Sequence, residues 1–267
     1  MKRFATTLFL FCALTAALAG TQVELQYVKD VSFTLAHARV IHQVEGQVIV
    51  ENLAYEKQVT IAYTLDGGAS WQETQASFAK SLGGNKDLFI FAICMGESDY
   101  NNGNYNSRSA RFAVKYQVAG QTFWDNNGGR DYSVATKGGG AVHPRILLGC
   151  ANVRVMGFNS RYVESAYGFW VFEGQIAIKN LAFHKKVNVV YSLDNWATVK
   201  VAAAAYNGTI GAAENWIFSV SDVQLPGQRY SFAVSYEVGG QTYWDNWNGD
   251  NYFLEFGSWN GMDLWYP

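Results

Sequence analysis

Phe112-Ala113-Val114-Lys115-Tyr116-Gln117-Val118 runs through Ala119-Gly120 into Gln121-Thr122-Phe123-Trp124-Asp125-Asn126. Phe112, Val114, Tyr116 and Val118 are apolar and spaced two apart, the period of a strand buried on one face. Ala119-Gly120 supplies a turn, so a second, short strand follows the first. The whole stretch returns 120 residues later as Phe232-Ala233-Val234-Ser235-Tyr236-Glu237-Val238, Gly239-Gly240, then Gln241-Thr242-Tyr243-Trp244-Asp245-Asn246. The chain therefore repeats itself.

Working outward, Glu45-Gly46-Gln47 recurs as Glu173-Gly174-Gln175, and Asn52-Leu53-Ala54 as Asn180-Leu181-Ala182. Tyr63-Thr64-Leu65-Asp66 recurs as Tyr191-Ser192-Leu193-Asp194, again 128 residues on. The order of all four blocks is kept, and the offset falls along the copy, so the second copy carries shorter loops in its middle. Val59, Ile61, Tyr63 and Leu65 alternate with Thr60, Ala62 and Thr64, predicting another half-buried strand in which Tyr63, like Tyr191, belongs to the core. Helical periodicity is almost absent. The expected class is all-β: two tandem β-sandwich domains of seven or eight strands each. The expected limits are a signal peptide at 1–19, a first module at 20–135, a linker at 136–145, a second module at 146–256 and an aromatic tail at 257–267. Gly138-Gly139-Gly140 and Pro144 give the linker a flexible composition.

Of the 267 residues, 16% are aromatic and only 16% are charged, against about 25% charged in an ordinary soluble domain. The formal net charge of −2 provides no basic field for nucleic acid or an anionic membrane. Lys2 and Arg3 precede a mostly apolar run to Leu18, and Ala17-Leu18-Ala19 is a small-x-small site, so cleavage after Ala19 and export are expected. That run is too short for a stable span, and no membrane association is expected after cleavage. Cys94 and Cys150 remain in apolar surroundings, either bridged to one another or as two separately buried thiols.

With the Asn-Leu-Ala-(Tyr/Phe)-x-Lys and Gly-Gln-Thr-x-Trp-Asp-Asn blocks in hand, each copy resembles the family 21 carbohydrate-binding module, over roughly residues 23–134 and 149–254. That family occurs in fungal glucoamylase starch-binding domains and in glycogen-targeting subunits of protein phosphatase 1. The resemblance implies an immunoglobulin-like sandwich with two α-glucan sites per module. One implied site pairs Trp196, of Asp194-Asn195-Trp196, with Trp244, and adds Asn246 and Asn251. Its counterpart uses Trp71, Trp124 and Asn126, with a lengthened turn, Asp66-Gly67-Gly68-Ala69-Ser70-Trp71, and with Asp131 where the second copy has Asn251. The other implied site uses Tyr55 and Lys57, matched by Phe183 and Lys185.

The chemistry suits those residue types. A glucose ring presents apolar C–H faces and a hydroxyl rim; a flat aromatic covers a face at small entropic cost, and Asn both donates to and accepts from the rim. Trp124 and Trp244 precede Asp-Asn at a strand end, where exposure is favoured over burial. Asp125 and Asp245 read as turn-stabilising acids rather than as a glycosidase pair, which needs two carboxylates about 5–10 Å apart on a dedicated scaffold. His37, His42, His143 and His184 lack metal-ligand spacing, no G-x-S-x-G occurs, and no cofactor or catalysis is expected. The expected partner is an α-glucan: starch, glycogen or maltooligosaccharide. A second reading is a glycogen-targeting adaptor for a phosphatase, because Lys29-Asp30-Val31-Ser32-Phe33 resembles the basic-x-Val-x-Phe docking motif of those subunits. The Asn-rich loop Asp99–Asn106 and the tail residues Trp259, Trp265 and Tyr266 are further aromatic segments without an assigned role.

Overall fold

A computed structural model describes residues 21–35, 39–99, 108–136, 146–163, 169–221 and 229–255. The expected signal peptide, the Asn-rich loop beyond Asp99, the Gly-rich linker 137–145 and the aromatic tail lie outside the described residues, as do His37 and His143.

The chain runs through Val23–Asp30 (β1), Phe33–Thr34 (β2), Arg39–Glu51 (β3), Lys57–Thr64 (β4) and Gln72–Gln75 (β5). Ser77–Leu82 (β6), Lys86–Asp99 (β7), Ser109–Val118 (β8), Gln121–Asp125 (β9) and Tyr132–Ala135 (β10) follow. Next come Ile146–Leu148 (β11), Val153–Val163 (β12), Phe169–Lys179 (β13), Lys185–Ser192 (β14) and Lys200–Ala203 (β15). Ala205–Ile210 (β16), Ala213–Val220 (β17), Arg229–Val238 (β18), Gln241–Asp245 (β19) and Tyr252–Glu255 (β20) close the second copy. Trp247–Gly249 forms a short 3-10 turn between the last two.

These strands build four antiparallel sheets, two per repeat. The first sandwich packs β1-β3-β7-β6 against β10-β8-β4-β5, with β9 beside β8; the second packs β12-β13-β17-β16 against β15-β14-β18-β19, with β20 beside β18. The architecture is thus all-β and doubly sandwiched. Phe112, Val114, Tyr116 and Val118 all point into the first core, and Phe232, Val234, Tyr236 and Val238 into the second. Tyr191 is buried and Tyr63 partly so. Leu65 departs from the expected alternation: β4 ends at Thr64, whose hydroxyl donates to Asp66, and Leu65 is left exposed in the turn.

The repeated glycine of Glu-Gly-Gln has a packing cause. A Cβ on Gly46 would lie 2.3 Å from the Phe91 ring, and one on Gly174 would lie 2.4 Å from the Phe218 ring. Only glycine lets these aromatics cross the strand, and both are buried core residues.

The boundary between repeats differs from the expectation. Thr136, assigned to the linker, is fully buried; its N–H donates to the Arg108 carbonyl at 2.7 Å and its hydroxyl meets His42 Nδ1 at 2.8 Å. Ile146–Leu148, assigned to the second module, adds to the first module's sheet beside β1, with Tyr27 opposite Leu148 and Lys29 opposite Ile146. Gly149 and Cys150 continue the zipper through their N–H groups to the Gln26 and Leu25 carbonyls. The reason is apolar: Tyr27 and Ile146 form one small core with Met156, Ala177, Ile210 and Ala213 on the outer face of the second sandwich, and Leu148 packs on it. The two modules are docked, not strung together. Cys94 and Cys150 are both free thiols and both exposed, so neither the bridge nor the buried pair is present.

Candidate functional site

The turn after β14 is held by one carboxylate. Asp194 accepts from the Ser192 hydroxyl at 2.8 Å, the Thr198 N–H at 2.8 Å and the Thr198 hydroxyl at 2.6 Å. The Thr198 hydrogen bonds hold its pKa down at about 2. The Ser192 hydroxyl also accepts the Trp196 N–H at 2.8 Å, fixing Asn195 and Trp196 in left-handed backbone, at φ 57° and 70°. For a tryptophan that conformation is rare and costly, and it sets where the ring stands.

The second wall comes from β19 and the turn after it. Asn246 accepts the Gly249 N–H on Oδ1 at 3.0 Å, and its carbonyl accepts the Asn251 N–H at 2.8 Å, closing a tight loop. Asn251 sits at φ 60°, which Asn tolerates better than most residues. Trp196, Trp244, Asn246 and Asn251 then line one groove of about 300 Å³, floored by Val190 and Ala233. Trp244 is 55% exposed. Four of the sequence-derived site residues thus converge on one place.

The first module has the same frame and a different filling. Asp66 accepts from Thr64, from the Ser70 N–H at 2.9 Å and from the Ser70 hydroxyl, as Asp194 does from Ser192 and Thr198. Gly68 N–H donates to Thr64 Oγ1 at 3.0 Å, the bond Trp196 makes in the second module. The turn is therefore not lengthened, contrary to the sequence reading. Gly68 occupies the position of Trp196, and Trp71 that of Val199. The space above Gly68 is taken by Arg111, whose guanidinium lies 5.3 Å from the Trp71 ring centre and 3.1 Å from Asp131 Oδ2. Trp124 remains half-exposed, with the Lys115 ammonium 5.9 Å from its ring centre. Asn126 caps its turn through the Gly129 N–H at 2.9 Å. In the second module Ser231 and Ser235 replace the two cations.

Tyr55 and Phe183 project from their loops almost fully exposed, at 95% and 89%. Lys57 and Lys185 do not accompany them outward. Lys57 Nζ donates to Asn52 and Asp87, and Lys185 Nζ to Asn180 at 2.6 Å and Glu214 at 2.7 Å. Both ammonium groups are largely buried, because each satisfies a carboxylate at the sandwich end. Through these bonds they shape the aromatic loops. Tyr116 and Tyr236 hold the same loops from below by donating to the Glu51 and Lys179 carbonyls at 2.6 and 2.7 Å. Phe183 and Lys185 line a hollow of about 590 Å³ with the Gly239-Gly240 turn.

Asp125 and Asp245 do more than stabilise a turn. Asp125 accepts the Leu25 N–H at 2.7 Å and the Tyr132 hydroxyl at 2.8 Å, and Asp245 accepts the Val155 N–H at 2.6 Å and the Tyr252 hydroxyl at 2.9 Å. Each staples the Trp-bearing strand to the opposite sheet. Burial and the adjacent carboxylate push the Tyr132 phenol far above its ordinary range.

The family profile for the carbohydrate/starch-binding module, family 21, matches residues 21–135 and again 161–255. The chain belongs to that family. This family 21 chain has relatives among characterised proteins. Glycogen-binding subunit 76A of Drosophila melanogaster is 35% identical over 137 residues, 47% of this chain and 19% of that protein. Protein phosphatase 1 regulatory subunit 3E of Mus musculus is 35% identical over 106 residues, 38% of this chain and 36% of that protein. The chain thus spans well under half the length of these relatives. A solved structure, the starch-binding domain of Rhizopus oryzae glucoamylase in complex with β-cyclodextrin and maltoheptaose, is 33% identical; 39% of this chain covers 93% of it, with a TM-score of 0.30.

Sequence reasoning passed over three residues that shape these grooves. Arg111 and Lys115 were legible as unmatched cations opposite Ser231 and Ser235. Trp247, 37% exposed, was legible as the aromatic that replaces Asn127 in the repeat.

Proposed function

We propose that the protein is an exported, non-catalytic α-glucan-binding protein, whose second module holds a glucose unit between Trp196 and Trp244. The observation that carries this reading is the convergence of two tryptophans with Asn246 and Asn251 on one open groove. The rings cover the apolar faces of the sugar and exclude water from them. Neither Asn246 nor Asn251 commits its side-chain NH2 to a protein partner among the described residues, which leaves those donors for the hydroxyl rim. In the first module Trp124 and Trp71 form a lesser site, with Arg111 and Lys115 over the rings. Tyr55 and Phe183 supply secondary contacts for a long glucan. The apolar run before Ala19 supports export. Incubation with insoluble starch, with cellulose as control, tests the reading. Retention on starch and release by maltooligosaccharide are expected, and equal retention on both solids overturns it.

The relatives favour a second reading, an adaptor that brings a phosphatase to glycogen. Its motif is Lys29–Phe33. Phe33 is 40% exposed, but the Val31 N–H donates to the Gln43 carbonyl and Phe33 pairs with Ile41, so this segment already belongs to a sheet. Finding the native protein inside the cell, bound to a phosphatase catalytic subunit, would decide for the adaptor.

A further inference from the structure

The turn Asp245–Asn251 is a partition between cavities. On one side lies the groove of Trp196, Trp244, Asn246 and Asn251. On the other lies a groove of about 670 Å³ between the modules, floored by the outer face of the first module's sheet and walled by Trp247, Asn248 and Asp250. A depression of about 250 Å³ lies between them and shares Trp244 and Asn246 with the first and Asn248 with the second. The three run in series over one turn. The middle stretch is pinned across the junction, with Asn248 bonded to Gln26 at 2.9 Å and to Gln47 at 3.0 Å.

The inter-module groove has a composition of its own. Trp247 is an aromatic held at φ 51°, stacked on Tyr252 at 6.1 Å and 14°, and still partly exposed. Such a backbone is disfavoured for a bulky side chain and is found where surrounding structure enforces it, often at binding sites. Lys29 stands opposite Glu45 in the sheet register, and its ammonium makes no hydrogen bond or ion pair within 4 Å among the described residues. Burial, and then the Arg154 charge, lower its pKa, and the Glu45 and Asp245 carboxylates offset this only in part. Lys29 and Lys80 are balanced by Glu45 and Asp250, so the groove presents no net field to an anion. Ile90, 45% exposed, adds an apolar patch to the floor. A flat ring, a neutral rim and uncommitted donors suit an uncharged polyhydroxylated ring.

We propose that this groove is an additional α-glucan subsite that exists only because the modules are docked, so that one glucan chain passes from Trp196 and Trp244 over the turn and onto Trp247. The site rests on the α-glucan reading above but adds to it. A short oligosaccharide fills the Trp244 groove alone, whereas a longer one also reaches the junction.

Calorimetric titration of the intact chain with maltotriose and with maltoheptaose tests it. Trp247→Ala is expected to lower the ratio of maltoheptaose to maltotriose affinity by about tenfold. Because Trp247 also packs on Tyr252, Ile90→Arg serves as a second variant: it changes an exposed strand residue of the other module and plugs the groove. The same fall in ratio is expected. Trp244→Ala should weaken both ligands. An unchanged ratio in Ile90→Arg overturns the junction subsite while leaving the Trp244 site standing, whereas wild-type protein that binds neither sugar removes both.

Discussion

The guanidinium carbon of Arg154 lies 4.4 Å from the centre of the Tyr27 ring, so a buried cation of the second module is roofed by an aromatic of the first. The same cation pairs with Asp245 at 2.9 Å, and both partners are almost wholly buried. Asp245 in turn staples the strand that carries Trp244. The docking of the modules and the positioning of Trp244 therefore share one charge network.

That network should govern cooperativity. Removing one member of a buried pair strands the other, at a cost of roughly 3–5 kcal/mol. Arg154→Met should lose about that much stability in denaturant unfolding. Tyr27→Ala should leave the Arg154–Asp245 pair formed but undock the modules, splitting a single calorimetric transition into two. A single undiminished transition in Tyr27→Ala would show that the Tyr27 contact is not what couples the modules.

Much of this fold is readable from the sequence, because strand alternation fixes which side chains face the core. Phe112, Val114, Tyr116 and their repeats needed nothing more. The site was legible where residue type alone decides, as with Trp196 and Trp244. It was illegible where a distant partner decides. Nothing near Lys57 or Lys185 reveals that Asp87 and Glu214, about thirty residues on, claim their charges. The first turn looked lengthened because its tryptophan was aligned with Trp196, whereas the carboxylate cap aligns Asp66 with Asp194 and places Gly68 beneath Arg111. The docked junction was hidden because Ile146-Leu147-Leu148 is too short a run to say which sheet it joins.

The lysines yield a prediction that separates shape from contact. Asp87 is almost fully buried beside Lys57, so Lys57→Met should cost roughly 3–5 kcal/mol in unfolding free energy. Tyr55→Ala, at a side chain that is almost wholly exposed, should leave stability within about 0.5 kcal/mol. It should nevertheless weaken retention on starch. Equal stability of the two variants would return Lys57 to the surface.

Glycine at the aromatic crossing should be irreplaceable. Gly46→Ala puts a methyl group into the Phe91 ring in a close-packed core, and overpacking of this kind costs about 1–3 kcal/mol. The same change at Gly83, where an added Cβ meets nothing, is the control for thermal denaturation.

The Trp196 turn should resist acid. The Thr198 hydrogen bonds depress the Asp194 pKa from an ordinary value near 3.8 to about 2. A depressed carboxylate contributes stability that is complete above its unfolded pKa and disappears as pH falls through the folded one. The contribution should thus persist at pH 5, decline between pH 4 and 2, and vanish below. Maltotriose binding monitored by tryptophan fluorescence should follow that window, and Thr198→Ala, which removes the side-chain hydrogen bond, should shift its midpoint upward. A midpoint unmoved by Thr198→Ala would detach the turn from binding.

The sharpest comparison lies between the two grooves. Both rest on the same Asp-capped turn and the same Trp-Asp-Asn hairpin, so their difference comes from Gly68, Arg111, Lys115 and Asp131 replacing Trp196, Ser231, Ser235 and Asn251. A guanidinium over an indole gains about 0.5–1 kcal/mol at an exposed site, and a sugar must displace it to reach the Trp71 face. The second groove should accordingly be the tighter one. In a Trp244→Ala background, which silences it, Arg111→Ser should open the Trp71 face and raise residual maltooligosaccharide affinity several-fold. The Arg111–Asp131 bridge is half-exposed, so its loss should barely affect folding. Adding Gly68→Trp should not rescue further, because Gly68 sits at φ 108°, a backbone that a tryptophan adopts only with strain. Weaker residual binding after Arg111→Ser would instead make Arg111 a direct contact of the glucan, and the first module a site of different design.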